Sequence, residues 1–169
     1  MADKKLFFAL WPSDRQRDQL RDTINPTMSS VEGSTVDRRN WHVTLVFIGD
    51  FPEERIPGLR SAVEVIDPGT IRLRFDCLSF WQRPKVAVLQ TMTVSPELER
   101  LVQSLEQALS PFGFTPHERT YRPHITVSRK VRTFPEIRLA RPVELQWSGF
   151  DLVESVSVRG EIHYRPLKQ

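Results

Sequence analysis

Two short histidine motifs are the residues of this sequence best suited to chemistry. His42-Val43-Thr44 and His124-Ile125-Thr126 each open an apolar run that predicts a β-strand. Side chains two residues apart on a strand point to the same face, so each motif presents an imidazole beside a hydroxyl. Two such strands facing one cleft would supply two proton-transfer groups and two hydroxyls that hold an anion. This combination predicts hydrolysis of a phosphate ester without a metal.

A 2′,3′-cyclic phosphate at an RNA end is a substrate that suits this set. Its hydrolysis needs an activated water on one side of phosphorus and a protonated leaving oxygen on the other. Histidine has an ordinary pKa of about 6.5, so one ring can be neutral while the other is charged. The Thr44 and Thr126 hydroxyls, with a nearby arginine, would bind the non-bridging oxygens. The motifs alone do not decide which histidine is the acid.

Alternative roles for these residues have less support in the sequence. The motif histidines could simply be strand residues whose rings pair with neighbouring backbone. A catalytic zinc site needs about three ligands, and neither motif has an acidic residue at a short ligand spacing. The remaining histidines, His117 and His163, lack a hydroxyl partner and are expected in a loop and a surface strand. No nucleophile elbow and no phosphate-binding P-loop occur in the sequence.

Composition predicts an ordinary globular protein. The 169 residues include 39% hydrophobic and 27% charged residues, with no apolar stretch long enough for a membrane span or a signal peptide. The single cysteine, Cys77, excludes an internal disulfide and is expected to be a buried small hydrophobe, in keeping with a cytoplasmic location. Basic residues cluster around the second motif (Arg119, Arg122, Arg129, Lys130, Arg132), which favours a phosphate-bearing ligand.

Strands and helices alternate along the chain. We expect strands over residues 5–11, 42–48, 71–80, 85–92 and from 124, with further strands near 143–155 and 160–164. Gly49-Asp50 is expected to end the first motif strand, and a proline-rich loop is expected through Arg141. Helices are predicted from a Ser13 cap, over 53–66 and over 96–109. The pattern predicts a bilobal α+β fold: two similar lobes, each an antiparallel sheet with flanking helices, around a central cleft. We expect residues 1–169 to form one domain with two pseudo-symmetric lobes.

The two motifs together resemble the signature of the 2H phosphoesterase superfamily. The matching residues are His42-Val43-Thr44-Leu45-Val46-Phe47-Ile48-Gly49 and Arg122-Pro123-His124-Ile125-Thr126. The opening residues 6–10 and the late residues 150–155 also resemble one branch, the RNA 2′,3′-cyclic phosphodiesterases once called 2′-5′ RNA ligases. Val127-Ser128 stands where Leu-Ala is commoner in that branch.

This resemblance implies hydrolysis of RNA 2′,3′-cyclic phosphate ends to 2′-phosphomonoesters, with no metal and no cofactor. It implies that His42 is the general acid, that His124 is the general base, and that Thr44 and Thr126 bind phosphate. Arg129 matches a position that contacts the phosphate. Phe47 is either a base-stacking neighbour or a residue of the strand core. The expected partner is an RNA end, with no membrane contact, and we expect a monomer.

Two other functions use the same residues. An RNA 5′-hydroxyl could replace water, which would make the reaction 2′-5′ ligation; without energy coupling, hydrolysis should prevail in water. Alternatively, the histidines could bind phosphate without turnover, and the protein would be a non-catalytic module that binds RNA ends. The intact pairs of histidine and threonine favour an enzyme.

Overall fold

Nine strands, three α-helices and three short 3₁₀ helices make up the regular structure of the described residues. The computed structural model describes residues 2–116 and 120–168. Its helices are α1 (Asp14–Met28), α2 (Ile56–Val63) and α3 (Pro96–Leu109). Its strands are β1 (Asp3–Leu10), β2 (Ser34–Thr35), β3 (Val43–Pro52), β4 (Ile71–Trp81), β5 (Val86–Gln90), β6 (His124–Arg129), β7 (Ile137–Trp147), β8 (Asp151–Val158) and β9 (Glu161–Pro166).

The strands form two antiparallel sheets, which confirms the predicted bilobal α+β class. The first sheet has the order β3-β1-β8-β9, and the second has the order β2-β6-β5-β4-β7. Each sheet therefore contains one motif strand, β3 or β6. The lobes are not simply the two halves of the chain, because the C-terminal strands β8 and β9 return to the first sheet.

Helices α1 and α3 pack against strands of the lobe other than the one they follow in the chain. Ser13 caps α1, as the sequence predicts, and the cap is a reciprocal capping box with Gln16. Helix α1 follows a strand of the first sheet but packs on β7 of the second. Helix α3 matches its predicted bounds, and its leucine and valine stripe is buried against α2 and β3. One hydrophobic cluster joins both sheets and includes Phe8 and Phe75.

Two predicted boundaries around glycine and proline are wrong. Strand β3 does not end at Gly49-Asp50 but continues to Pro52. Gly49 adopts φ of +86° at a bulge where the pairing with β1 shifts, so this glycine bends the strand without ending it. The expected loop through Arg141 is also wrong, since β7 begins at Ile137. Pro142 is tolerated because β7 is an edge strand and its register with β4 shifts there.

Smaller departures concern short elements. The predicted helix over 53–66 begins as a 3₁₀ turn at Glu53–Arg55 and becomes α-helical only over Ile56–Val63. Strand β2 is two residues long and has too little sequence for a periodic signal. No helix in the described ranges is long and apolar enough to cross a membrane.

Candidate active site

A small cavity between the lobes collects the predicted site residues. Its volume is about 130 Å³. Both motifs contribute to its walls, as does Arg129 at the end of β6; the lining side chains are Val36, Asn40, His42, Thr44, His124, Thr126, Arg129 and Tyr164. The structure thus brings together five of the six predicted residues in one place, which we call the central cavity.

The two histidines are held in the same way. Nδ1 of His42 lies 2.7 Å from the Asn40 carbonyl oxygen, and Nδ1 of His124 lies 2.8 Å from the Arg122 carbonyl oxygen. Because a carbonyl only accepts, Nδ1 carries the proton in both rings, and Nε2 is left with its lone pair in the neutral form. The backbone pairing expected of ordinary strand histidines is therefore present, and it prepares Nε2 for proton transfer.

The surroundings of Nε2 differ between the two rings. Nε2 of His42 lies 2.8 Å from Oγ1 of Thr44, whose hydroxyl donates to the neutral ring. Nε2 of His124 forms no hydrogen bond to any side chain or backbone group in the described ranges. His124 is consequently the ring that can accept a proton from water without first giving up a protein partner.

Each histidine also packs against a tryptophan, and an arginine guanidinium lies over the ring of that tryptophan. The Trp11 ring stacks on His42 with centroids 6.0 Å apart, and the Arg17 guanidinium lies 4.8 Å from the Trp11 centroid. In the second lobe, the Trp81 and His124 centroids are 4.4 Å apart, and the guanidinium of Arg122 lies 4.2 Å from the Trp81 centroid. Both imidazoles thus have an indole ring on one side, stacked on His42 and tilted against His124, and a positive charge nearby.

These surroundings disfavour the charged form of His42. Burial is the largest effect and lowers the pKa of His42 from 6.5 to about 4. The hydrogen bond to the Asn40 carbonyl opposes this change and raises the pKa. The positive charges of His124, Arg17 and Arg129 lower it further.

His124 is affected in the same direction. Burial lowers its pKa, the hydrogen bond to the Arg122 carbonyl raises it, and the Arg122 charge lowers it again. Both rings are therefore neutral near pH 7 in the free protein. An anionic phosphate placed between them would favour protonation of one ring, because an opposite charge stabilises the imidazolium.

Arg129 and Tyr164 also line the central cavity and contact each other. The Arg129 guanidinium donates to the Tyr164 hydroxyl at 3.1 Å. The edge of the Tyr164 ring meets His42 with centroids 5.1 Å apart. Tyr164 thus orients an arginine that carries the positive charge needed beside a phosphate.

A hydrogen bond ties the two motif segments together across the lobes. The Tyr121 hydroxyl donates to the Thr44 carbonyl at 2.8 Å. Burial raises the pKa of Tyr121, so its hydroxyl keeps its proton and remains a donor. This contact fixes β3 relative to the segment that leads into β6.

Phe47 lies outside the central cavity. Its side chain is 50% exposed, so it is not a residue of the strand core. It lines an adjoining space of about 560 Å³, the Phe47 groove, which also reaches Thr44, Trp81, Tyr121, Arg122 and His124. Its position is compatible with the predicted contact to a base.

The other predictions about single residues have mixed outcomes. His163 lies on β9 with 44% of its side chain exposed, which confirms the expected surface strand. Cys77 is buried, as expected. His117 and Arg119 lie outside the described residues. Within residues 2–116 and 120–168, no three His, Cys, Asp or Glu side chains are grouped so that they could hold a metal ion.

Several contacts of the site carry no signal in the sequence. Tyr164 enters from β9, which is far from both motifs in sequence, and only the strand order β1-β8-β9 brings it to His42. Trp11 directly follows β1, and Trp81 is the last residue of β4, so each tryptophan stands at the end of a strand that is remote in sequence from the histidine it contacts. Asn40 and Arg122 act through backbone carbonyls, which side-chain identity does not reveal.

Comparison with known sequences supports one family. The chain matches the model of the 2′-5′ RNA ligase superfamily over residues 12–158. It is 27% identical over 170 residues to the RNA 2′,3′-cyclic phosphodiesterase of Escherichia coli (strain K12), covering 98% of this chain and 95% of that protein. It is 30% identical over 114 residues to the RNA 2′,3′-cyclic phosphodiesterase of Aeropyrum pernix, covering 66% of this chain and 64% of that protein.

Solved structures agree with this assignment. The crystal structure of E. coli LigT complexed with 3′-AMP matches with a TM-score of 0.84 at 25% identity, covering 98% of this chain and 96% of that one. The apo form of LigT matches with a TM-score of 0.83 at 26% identity, covering 99% and 96%. The shared fold and the match over most of the chain establish that this protein belongs to the 2′-5′ RNA ligase superfamily of 2H phosphoesterases.

Proposed function

We propose that this protein hydrolyses RNA 2′,3′-cyclic phosphate ends to 2′-phosphomonoesters without a metal ion. The observation that carries the proposal is the central cavity, where the imidazole and hydroxyl of both motifs meet Arg129. Two proton-transfer groups and several hydrogen-bond donors for phosphate oxygens are what this in-line displacement requires.

The residues have distinct roles in the proposed step. Nε2 of His124 removes a proton from water as the water oxygen bonds to phosphorus. The bond from phosphorus to O3′ breaks, and His42 donates a proton from Nε2 to O3′. The phosphate remains attached to O2′, and water supplies the hydroxyl that balances the reaction. Each proton transfer contributes about 10²–10⁴-fold to the rate.

Thr44, Thr126 and Arg129 are proposed to bind the non-bridging oxygens. The Arg129 guanidinium is already held by the Tyr164 hydroxyl before substrate binds, which limits the reorganisation of this donor when charge moves to those oxygens. Thr44 has a second task, because its hydroxyl is bonded to Nε2 of His42 in the free protein. Protonation of His42 reverses that bond, so that Nε2 can donate while the Thr44 hydroxyl turns to the phosphate.

The relatives support the same substrate class. Proteins from A. pernix and E. coli that resemble this chain are RNA 2′,3′-cyclic phosphodiesterases. The E. coli neighbour has been crystallised with 3′-AMP, a ribonucleotide with a phosphate on a ribose hydroxyl. We extend this specificity to the present chain because its cavity contains a complete pair of His-x-Thr motifs.

The reaction is tested by product analysis. An oligoribonucleotide ending in 2′,3′-cyclic phosphate is incubated with the protein and EDTA, with and without a second RNA bearing a 5′-hydroxyl, and the products are followed by phosphorus NMR. The proposal predicts conversion to the 2′-phosphate in both mixtures. Accumulation of a joined 2′-5′ product would favour ligation instead. Tight binding without turnover at any pH would favour a non-catalytic module that binds RNA ends. The monomeric state and the cytoplasmic location stay predictions from the sequence.

A further inference from the structure

A large basic trough opens from the second motif. Its volume is about 1140 Å³, and it begins at His124, Thr126 and Arg129 and extends past the β4–β5 turn. Six of its fifteen lining residues are Arg or Lys and none is Asp or Glu; the basic residues are Arg83, Lys85, Arg122, Arg129, Lys130 and Arg132. A channel of one sign of charge attracts a polyanion.

The trough differs from the other space that reaches the site. The Phe47 groove is smaller, at about 560 Å³, and contains Phe47, Phe114 and Tyr121 with one acidic residue, Glu106. Both spaces share Trp81, Arg122 and His124, so the stacked Trp81 and Arg122 side chains stand where they meet. The Phe47 groove is therefore apolar and aromatic, the trough is basic, and the Trp81 and Arg122 side chains lie between them.

We propose that the basic trough binds the RNA backbone on the 5′ side of the terminal nucleotide, so that oligonucleotide ends are preferred over cyclic mononucleotides. This inference rests on the proposed function. A terminal cyclic phosphate occupies O2′ and O3′, and the remaining chain therefore leaves through O5′ of the same ribose. The backbone carries a negative charge at every phosphate and can pair with the cations of the trough. A base can stack on the aromatic residues of the Phe47 groove.

A backbone hydrogen bond and a tight turn position two lysines of the trough. The backbone N–H of Val131 donates to the Lys85 carbonyl at 3.1 Å, which joins the start of β5 to the segment after β6. Lys130 occupies a left-handed turn with φ of +52° beside this bond. Arg132 is paired with Glu32 at 3.5 Å, whereas Lys85 and Lys130 have no ion pair with a carboxylate in the described ranges. Arg122 and Arg129 also lack a carboxylate partner in those ranges, but Arg122 lies over the Trp81 ring and Arg129 donates to the Tyr164 hydroxyl. Lys85 and Lys130, together with Arg83 on the neighbouring turn, are therefore available to pair with phosphates.

The size of the effect follows from counterion release. A contact between a cation and a single-stranded phosphate contributes about 0.7 to the slope of log affinity against log salt. If Lys85 and Lys130 each neutralise one phosphate, the two contribute about 1.4 to that slope. Raising salt from about 50 to about 200 mM then weakens wild-type activity on the oligonucleotide about sevenfold more than it weakens a variant without the two lysines.

The test compares two substrates and two double variants. kcat/KM is measured for a cyclic-phosphate hexaribonucleotide and for a 2′,3′-cyclic mononucleotide as salt is varied. The trough variant is Lys85→Gln with Lys130→Gln. The control is Lys5→Gln with Lys168→Gln, which removes the same charge from exposed lysines that line neither space. We expect a wild-type preference for the hexanucleotide that the trough variant loses, unchanged mononucleotide activity, and a control that behaves as wild type.

Three results would overturn the trough assignment: equal activity of the wild type on both substrates, equal losses on both substrates, or an equal loss in the control. If the wild type turns over neither substrate, the proposed function fails, and the trough is then tested by fluorescence anisotropy with a labelled hexanucleotide ending in a 2′-phosphate. Salt-dependent binding that only the trough variant loses would support the trough alone. Binding unchanged in that variant would refute it.

Discussion

The pH dependence of kcat/KM is the most informative prediction from the geometry of the site. In the proposed mechanism, the competent form of the free enzyme carries one proton on the pair formed by His42 and His124. Burial lowers the pKa of both rings, and that of His42 falls to about 4. The pair titrates as a unit, so the pH optimum of kcat/KM lies between its two macroscopic pKa values.

The magnitude follows from these values. The pKa of each ring lies below the ordinary value of 6.5, and that of His42 is about 4. We therefore expect a bell-shaped profile whose optimum lies between about pH 4 and about pH 6.5. Above the upper limb the singly protonated form falls tenfold per pH unit, so kcat/KM at pH 7.5 should be at least about tenfold below its maximum. The profile of kcat should lie at higher pH, because bound phosphate stabilises an imidazolium.

Two assays check this reasoning. kcat/KM for a cyclic-phosphate oligonucleotide is measured from pH 4 to pH 9 at constant ionic strength. The histidine ring signals of the ligand-free protein are titrated by NMR, with His42→Asn and His124→Asn variants to assign them. A kcat/KM optimum at or above pH 7, or a His42 ring that titrates at or above pH 6.5 in the free protein, would refute the argument from burial.

Three further perturbations test separate parts of the mechanism and the fold. Thr126→Val should lower kcat about 10²–10³-fold, as loss of one oxyanion donor does, whereas Thr126→Ser should retain most of the activity in the same assay. Tyr121→Phe should lower the free energy of unfolding by about 1 kcal/mol in urea titrations, because the Thr44 carbonyl loses its donor; an unchanged midpoint would contradict that role. Since the folded pKa of His42 lies below its unfolded value of 6.5, its contribution to stability is complete above pH 6.5 and is lost as pH falls toward 4. We expect a loss of about 3 kcal/mol at pH 4, and urea titrations should show a smaller loss in His42→Asn.

Local patterns predicted much of the fold. Helix α3 has a capping serine, a proline at its first position and a regular apolar stripe, and these signals agree with one another and with the observed bounds. The motif strands were also predictable, because β-rich runs follow both histidines and the alternation of side chains places each threonine beside its histidine. The meeting of both motifs in one cavity was predictable from the assumption that two equivalent strands face one cleft.

Features set by long-range contacts could not be predicted. Whether Gly49 ends a strand or bends it depends on the bulge with β1, and whether Pro142 breaks β7 depends on that strand being at a sheet edge. Tyr164 is separated from His42 by most of the chain and reaches it only because β9 pairs with β8. The contacts between tryptophan and histidine are also non-local, because the pairing of β1 with β3 brings Trp11 to His42 and the strand order β6-β5-β4 brings Trp81 to His124.

The central claim is that His42 and His124 act together on one cyclic phosphate. It is tested most directly by phosphorus NMR of a cyclic-phosphate oligonucleotide with EDTA present, using wild type, His42→Ala, His124→Ala and, as a matched control, the exposed histidine variant His163→Ala. We predict conversion to the 2′-phosphate by the wild type and His163→Ala, and rates lower by about 10²–10⁴-fold in each motif variant. Undiminished conversion by both His42→Ala and His124→Ala would contradict the proposed mechanism.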